Sequence, residues 1–338
     1  MLIIQFFFIF FFLRIFVRKN YCNYMHTPNI QDVLQAAKRI ANFSHITPIL
    51  TCKTINYITN NQIFFKCENF QKIGAFKFRG ACNAVFSLSK ESAKKGVATH
   101  SSGNHAQALA LAAKICNINA TVIMPDNSSD IKIKAVRNYG ANIIFCKPDL
   151  ISRETTLNKR ILESGETFIH PYDNFNIIAG QATAALEMLN DIKDLDYVIA
   201  PVGGGGLLSG TLISCSSISP KTKVIAAEPE GADDAYRSII ENHIVPSVNP
   251  KTIADGLLTS LGEMNFNIIK EHIYKIVTVS EEAIINAMKL IWERMKIIVE
   301  PSSATTLAVL LENKIEISGK RIGIILSGGN VDLKKLPF

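Results

Sequence analysis

Three apolar runs in this sequence, at residues 96–100, 197–202 and 321–326, each stop in a turn built of glycine or of serine, glycine and asparagine. The turns are Ser101-Ser102-Gly103-Asn104-His105, Gly203-Gly204-Gly205-Gly206 and Ser327-Gly328-Gly329-Asn330. The first two pass directly into helical patterns, over residues 106–115 and 207–214. Further strands are predicted at residues 63–67, 120–124, 142–146 and 223–227, and helices at 80–88, 131–139, 178–189 and 281–294. Strands that alternate with helices specify parallel sheets with helices on both faces, because parallel neighbours need a crossover. Ligands of such sheets collect beyond the carboxyl ends of the strands. The chemistry is therefore to be sought in these turns.

Lys77 also follows a β-type run, in Asn69-Phe70-Gln71-Lys72-Ile73-Gly74-Ala75-Phe76-Lys77-Phe78-Arg79-Gly80. Large apolar neighbours desolvate an ammonium and free its amine as a nucleophile, which a Schiff-base lysine requires. A lysine that merely snorkels from a strand end has the same local sequence. Gly203 to Gly206 present consecutive N–H groups at a helix start, as a phosphate cradle does. They lack both the Gly-Lys-Ser/Thr and the G-x-G-x-x-G spacings. A tight turn is the alternative, although four glycines cost more backbone entropy than a turn requires. The turn at Ser101 suits a carboxylate, or is an N-cap by one serine. His105 reads equally well as a core histidine. Ser327 closes a buried strand with a neutral hydroxyl. A reactive lysine, a phosphate cradle, a carboxylate nest and a neutral hydroxyl together describe pyridoxal phosphate with an amino-acid substrate.

Composition narrows the alternatives. A chain of 338 residues, 48% hydrophobic and 19% charged, is globular and long enough for two domains. The formal charge of +7 comes from scattered lysines without interleaved aromatics, which excludes nucleic acid as an expected partner. Seven cysteines without a CxxC pair point to reduced thiols in a cytoplasmic compartment, with no disulfide framework or zinc site. Residues 2–17 are almost wholly apolar, yet shorter than the roughly 20 residues of a spanning helix. Residues 1–24 are expected to be an extension outside the fold, and membrane contact is expected only if residues 2–17 are retained.

From about Thr27 to Leu333 the chain resembles the fold type II pyridoxal-phosphate enzymes, in particular the serine racemase and serine/threonine dehydratase family. The matching pieces, in the family's order, are Phe76-Lys77-Phe78-Arg79-Gly80, Ser101 to His105, His170-Pro171, Gly203 to Gly206, Glu300-Pro301 and Ser327 to Asn330. The resemblance implies two open, mostly parallel twisted sheets flanked by helices. A small domain, 90–173, would be inserted in a large cofactor-binding domain, 25–89 and 174–338. It implies that Lys77 carries the cofactor and moves the substrate's α-proton, and that Phe76 packs on the pyridine ring. Asn104 would reach the ring hydroxyl, Gly203, Gly204, Gly205 and Gly206 the phosphate, and Ser327 the pyridine nitrogen. Ser101, Asn104 and His105 would take the substrate carboxylate, and Ser102 would be the second acid of a racemase. Glu228, Asp234 and the Ala232 carbonyl resemble a site for Mg²⁺ or Ca²⁺, against the reading of a solvated acidic loop. Gln107, Lys132 and Tyr139 match positions that bind an activating ATP, and a generic surface fits them as well.

The implied activity is serine racemase with L-serine dehydratase activity, with L-threonine and 3-hydroxyaspartate as further substrates, in a homodimer. The alternative is a threonine/serine ammonia-lyase without significant racemisation. Ala106, Tyr172-Asp173, Ala182 and Ser302-Ser303-Ala304 depart from the animal racemases and favour that alternative.

Overall fold

The computed structural model describes residues 27–128 and 130–338. The expectation for residues 1–24 lies outside them. In chain order the strands are β1 (Ile49–Leu50), β2 (Gln62–Cys67), β3 (Val97–His100), β4 (Ala120–Pro125), β5 (Asn142–Cys146), β6 (Thr167–Phe168), β7 (Tyr197–Pro201), β8 (Lys223–Pro229), β9 (Lys275–Val279) and β10 (Arg321–Leu326). The helices of the first half are α1 (Ile30–Ile40), α2 (Lys53–Thr59), α3 (Lys77–Phe86), α4 (Lys90–Lys95), α5 (Asn104–Ile115), α6 (Asp130–Asn138) and α7 (Leu150–Ser164). Those of the second half are α8 (Phe175–Asp191), α9 (Gly206–Ile218), α10 (Asp234–Glu241), α11 (Glu263–His272), α12 (Glu281–Met295) and α13 (Pro301–Leu311).

Two sheets result, with strand orders β1-β2-β10-β7-β8-β9 and β5-β4-β3-β6. Every pairing is parallel except that of the short edge strand β1 with β2. The central strands read as continuous apolar runs because both faces of the larger sheet are covered. One face packs α8 and α9 in a core with Val198, Ala200 and Ile325. The other packs α12 and α13 on Ile63, Phe65, Ile199 and Ile324. A third core joins the smaller sheet to α3 and α5 through Phe78, Cys82, Leu109 and Val122.

The expected strands and helices are present, with ends shifted by a few residues. The elements that periodicity did not yield are α2, α4, α7, α10, α11, β1, β6 and β9. α7 has Leu157 as its single fully buried residue, so it shows little of an apolar stripe. β6 is a two-residue strand, too short to carry a pattern. Among the described residues no helix is long and apolar enough to cross a membrane.

The helix that starts at Lys77 is fixed from behind. A Cβ on Gly180 would lie 2.6 Å from the Gly80 Cα, so α3 and α8 meet backbone to backbone. Beside that contact the Arg79 guanidinium, with no exposed surface, donates to Glu68 Oε2 at 2.7 Å and to Glu187 Oε1 at 2.6 Å. Lys66, also fully buried, pairs with Glu187 and donates to the Thr47 carbonyl at 2.8 Å. Two cations and two carboxylates thus close a neutral cluster linking β2, α3 and α8. Removing one member leaves an uncompensated buried charge, which costs far more than the intact pair contributes. Arg79→Met is expected to destabilise the protein by about 3–5 kcal/mol. Chemical denaturation checks this, and a loss below about 1 kcal/mol contradicts it.

Candidate active site

All three sequence turns and the Lys77 stretch meet at the carboxyl ends of β10, β7 and β3. The Lys77 stretch is tied to the end of β10 by backbone. The Phe76 N–H donates to the Ser327 carbonyl at 2.9 Å, and the Gly329 N–H to the Gly74 carbonyl at 2.9 Å. Lys77 opens α3. Its Nζ donates to the Pro171 carbonyl at 2.9 Å and stands 5.2 Å from the Phe76 ring and 6.0 Å from the Tyr172 ring. Burial pushes the Lys77 ammonium down to about 8, against the opposing pull of the Glu300 carboxylate. The side chain nonetheless keeps some surface open to the cleft.

The four glycines lie between β7 and α9. Gly205 has φ +96°, the left-handed region, and a Cβ there would meet the Asn265 Cβ at 2.7 Å. A Cβ on Gly204 would enter the Tyr172 ring at 2.3 Å. Among the described residues the N–H groups of Gly204, Gly205 and Gly206 find no protein acceptor. Three free donors at a helix N-terminus, with room only for backbone, suit a phosphate. Ser327 is buried, with Oγ 3.1 Å from the Ser303 Oγ, which in turn accepts the Gly328 N–H at 2.7 Å. The strand end offers a hydroxyl with no carboxylate bonded to it.

The turn before α5 divides its residues. Ser101 Oγ accepts the Gly103 N–H at 3.2 Å. Ser102 is half-buried, and its hydroxyl has no partner among the described residues. Asn104 donates to both oxygens of Glu300, at 3.0 and 3.2 Å, and accepts from Asn330 at 2.9 Å. The His105 ring is buried and turned to the Ile169 carbonyl at 3.2 Å. What His105 presents at the helix start is its backbone N–H. Burial drives this imidazole well below its ordinary pKa, and the Lys77 charge pushes the same way.

Three functional residues escaped the reading of the sequence. Glu300, known there only as part of a Glu-Pro pair, is a buried carboxyl raised to about 7, chiefly by burial and then by Asp255. Pro171 supplies the acceptor of Lys77. Arg153, on α7, has its Nε buried without a partner among the described residues. α7 packs on β3, β4 and β5, with Arg153 in its first turn. A polar helix with little burial gave no sequence signal for it.

At the metal expectation, Glu228 accepts the N–H groups of Ala235 at 2.7 Å and Tyr236 at 2.8 Å, and so caps α10. Asp234 Oδ2 and the neighbouring Ser247 Oγ are both buried without a well-formed hydrogen bond. Burial holds Asp234 at about 6 and Glu228 well above its usual range. Among the described residues no group of three or more His, Cys, Asp or Glu side chains is arranged around a metal position.

Residues 40–328 match the family described as pyridoxal-phosphate dependent enzyme. The chain belongs to this family. It is 50% identical over 316 residues to the serine racemase of Dictyostelium discoideum, covering 92% of this chain and 98% of that one. It is 49% identical over 314 residues to the beta-hydroxyaspartate dehydratase of Paracoccus denitrificans, covering 93% and 100%. The structure of maize serine racemase superposes with a TM-score of 0.90 at 40% identity, covering 91% of this chain and 95% of that one. The Lys77 amine, the N–H cradle and the buried hydroxyl all suit the family's cofactor.

In protein stripped of cofactor, acylation of Lys77 is expected to rise as pH passes about 8 and to level off above it. Below that pH the residue is an ammonium, and above it a neutral amine. Exposed lysines continue to gain reactivity towards 10.5. Mass spectrometry of the Lys77 peptide reads the curve, and a midpoint near 10.5 refutes the assignment.

Proposed function

We propose that this enzyme racemises serine and also dehydrates L-serine, with Lys77 and Ser102 as its two proton-transfer groups. Bound pyridoxal phosphate supplies the electron sink that acidifies the substrate α-proton. Gly203, Gly204, Gly205 and Gly206 would hold its phosphate, Phe76 would lie against its ring, and Ser327 would serve its ring nitrogen. Asn104, held by Glu300, would serve its ring hydroxyl. The N–H groups at the start of α5, with Ser101, orient the substrate carboxylate. The Lys77 amine takes the α-proton. Ser102 returns a proton to the other face, which inverts the centre. Loss of the β-hydroxyl instead leads to a 2-oxo acid and ammonia. The observation that carries racemisation is the half-buried Ser102 hydroxyl at the turn, with no partner among the described residues. The small domain 90–173, the homodimer and the cytoplasmic location belong to the same reading.

One incubation of the holoenzyme with L-serine, assayed for D-serine and pyruvate, tests it. Ser102→Ala is expected to lower D-serine formation by about 100-fold or more while pyruvate formation persists. Pyruvate without D-serine in the wild type makes the enzyme an ammonia-lyase, with Ser102 only a carboxylate ligand.

Arg153 favours 3-hydroxyaspartate as a further substrate. Its unpartnered buried Nε is a donor waiting for an anion, and a β-carboxylate would pair with it. Arg153→Leu is expected to reduce kcat/KM for 3-hydroxyaspartate about 10–100-fold and to leave serine within a few-fold. Equal losses on both substrates contradict this.

For the cation, Glu228, Asp234 and the Ala232 carbonyl supply hard oxygen donors, and the orphaned Asp234 oxygen fits an Mg²⁺ or Ca²⁺ ion. Either ion is expected to raise the thermal midpoint of the wild type by several degrees and to have no effect on Asp234→Asn. ATP would be an activator. Lys132, assigned to it, pairs with Asp255 at 2.8 Å, so nucleotide binding would break that ion pair.

A further inference from the structure

We infer that His170 is a positioning residue whose Nδ1 folds the crossing segment so that the Pro171 carbonyl becomes the fixed acceptor of the Lys77 amine. The inference rests on Lys77 being the reacting amine. The segment leads from β6 to α8, and each of its residues is pinned. The Ile169 carbonyl meets His105 at 3.2 Å and the Tyr172 carbonyl accepts from Asn265 at 3.1 Å. Asp173 caps α11 through the Glu263 and Met264 N–H groups, both at 3.1 Å. Asn174 caps α8. Within this frame His170 Nδ1 accepts the N–H of Asp173 at 2.8 Å and that of Tyr172 at 3.3 Å.

That pattern is an Asx turn made by a histidine. Nδ1 is bonded to Cγ, as Oδ1 is in asparagine, so the acceptor stands at the same place along the chain. It works only while Nδ1 carries no proton. Burial first, then the charges of His100 and Lys77, hold this imidazole at about 3. The turn leaves the Pro171 carbonyl 2.9 Å from Lys77 Nζ, the one hydrogen-bond acceptor that Nζ has among the described residues.

The need for a fixed acceptor follows from the proton transfer. When the free amine takes the α-proton, the C–H bond breaks, its electron pair stays with the substrate, and Nζ becomes an ammonium with three N–H groups. An ammonium left unpaired in a buried site is costly. One N–H is held by Pro171, and the Glu300 carboxylate favours the ammonium.

Three holoenzyme variants test this on whichever substrate the wild type turns over. His170→Asn keeps an acceptor at the Nδ1 place and is expected to hold kcat within about threefold. His170→Gln sets its acceptor one bond too far, and His170→Ala has none. Both are expected to lose about 10–100-fold in kcat with KM within twofold. Equal activity of the Asn and Gln variants, or a KM that rises in step with the fall in kcat, overturns the inference. Should His170→Ala not fold, the Asn and Gln pair decides. If neither of those folds, His170 serves folding alone and the inference fails.

Discussion

The guanidinium of Arg79 is the interaction on which the site's geometry depends. It sits two residues beyond Lys77, on the opposite side of α3, so the helix is held by one face and presents Lys77 from the other. Its partners Glu68 and Glu187 come from the end of β2 and from α8. An arginine suits this place because its rigid fork serves two carboxylates at once while staying charged in a dry interior. A cluster of this kind contributes less to net stability than apolar residues of the same volume would. Its effect here is orientation. The start of α3 has one position relative to the sheet, and Lys77 inherits it.

Low dielectric then does the chemical tuning. The same burial that lowers the Lys77 ammonium raises the Glu300 carboxyl and keeps His105 and His170 neutral. The cleft holds an amine close to neutrality, surrounded by groups that neither donate protons to it nor neutralise it fully. The hydroxyl at Ser327 fits this economy of charge. A carboxylate there would keep a ring nitrogen protonated, whereas a hydroxyl makes a milder electron sink.

Much of the fold and the outline of the site were legible because their signals are local. Runs of glycine, serine and asparagine after an apolar run mark turns whatever the rest of the chain does, and Gly203 to Gly206 and Ser101 to Asn104 stand where such turns stand. What local sequence did not carry were roles created by distant contacts. Glu300 meets Asn104 across 196 residues, and Pro171 meets Lys77 across 94. Nothing near Pro171 in sequence says that its carbonyl will face an amine. His105 shows the other side of this limit. Its position at a helix start was readable, but the direction of its ring was set by the Ile169 carbonyl, a partner 64 residues away. α7 went unseen because its sequence is polar overall and buries only Leu157 fully, and Arg153 went unseen with it.

The place of β10 has a consequence for biogenesis. Among the described strands it comes last in the chain, yet it lies inside the larger sheet, between β2 and β7. Its first residue pairs with Gln62, 259 positions earlier. Until it inserts, β2 and β7 have unpaired edges, and the Ser327 carbonyl that anchors Phe76 is missing. A chain made only as far as residue 320 therefore has Lys77 but not the frame that holds it. The frame around Lys77 is complete only once β10 has inserted, and the exposed inner edges of the waiting sheet are what a chaperone would have to cover until then.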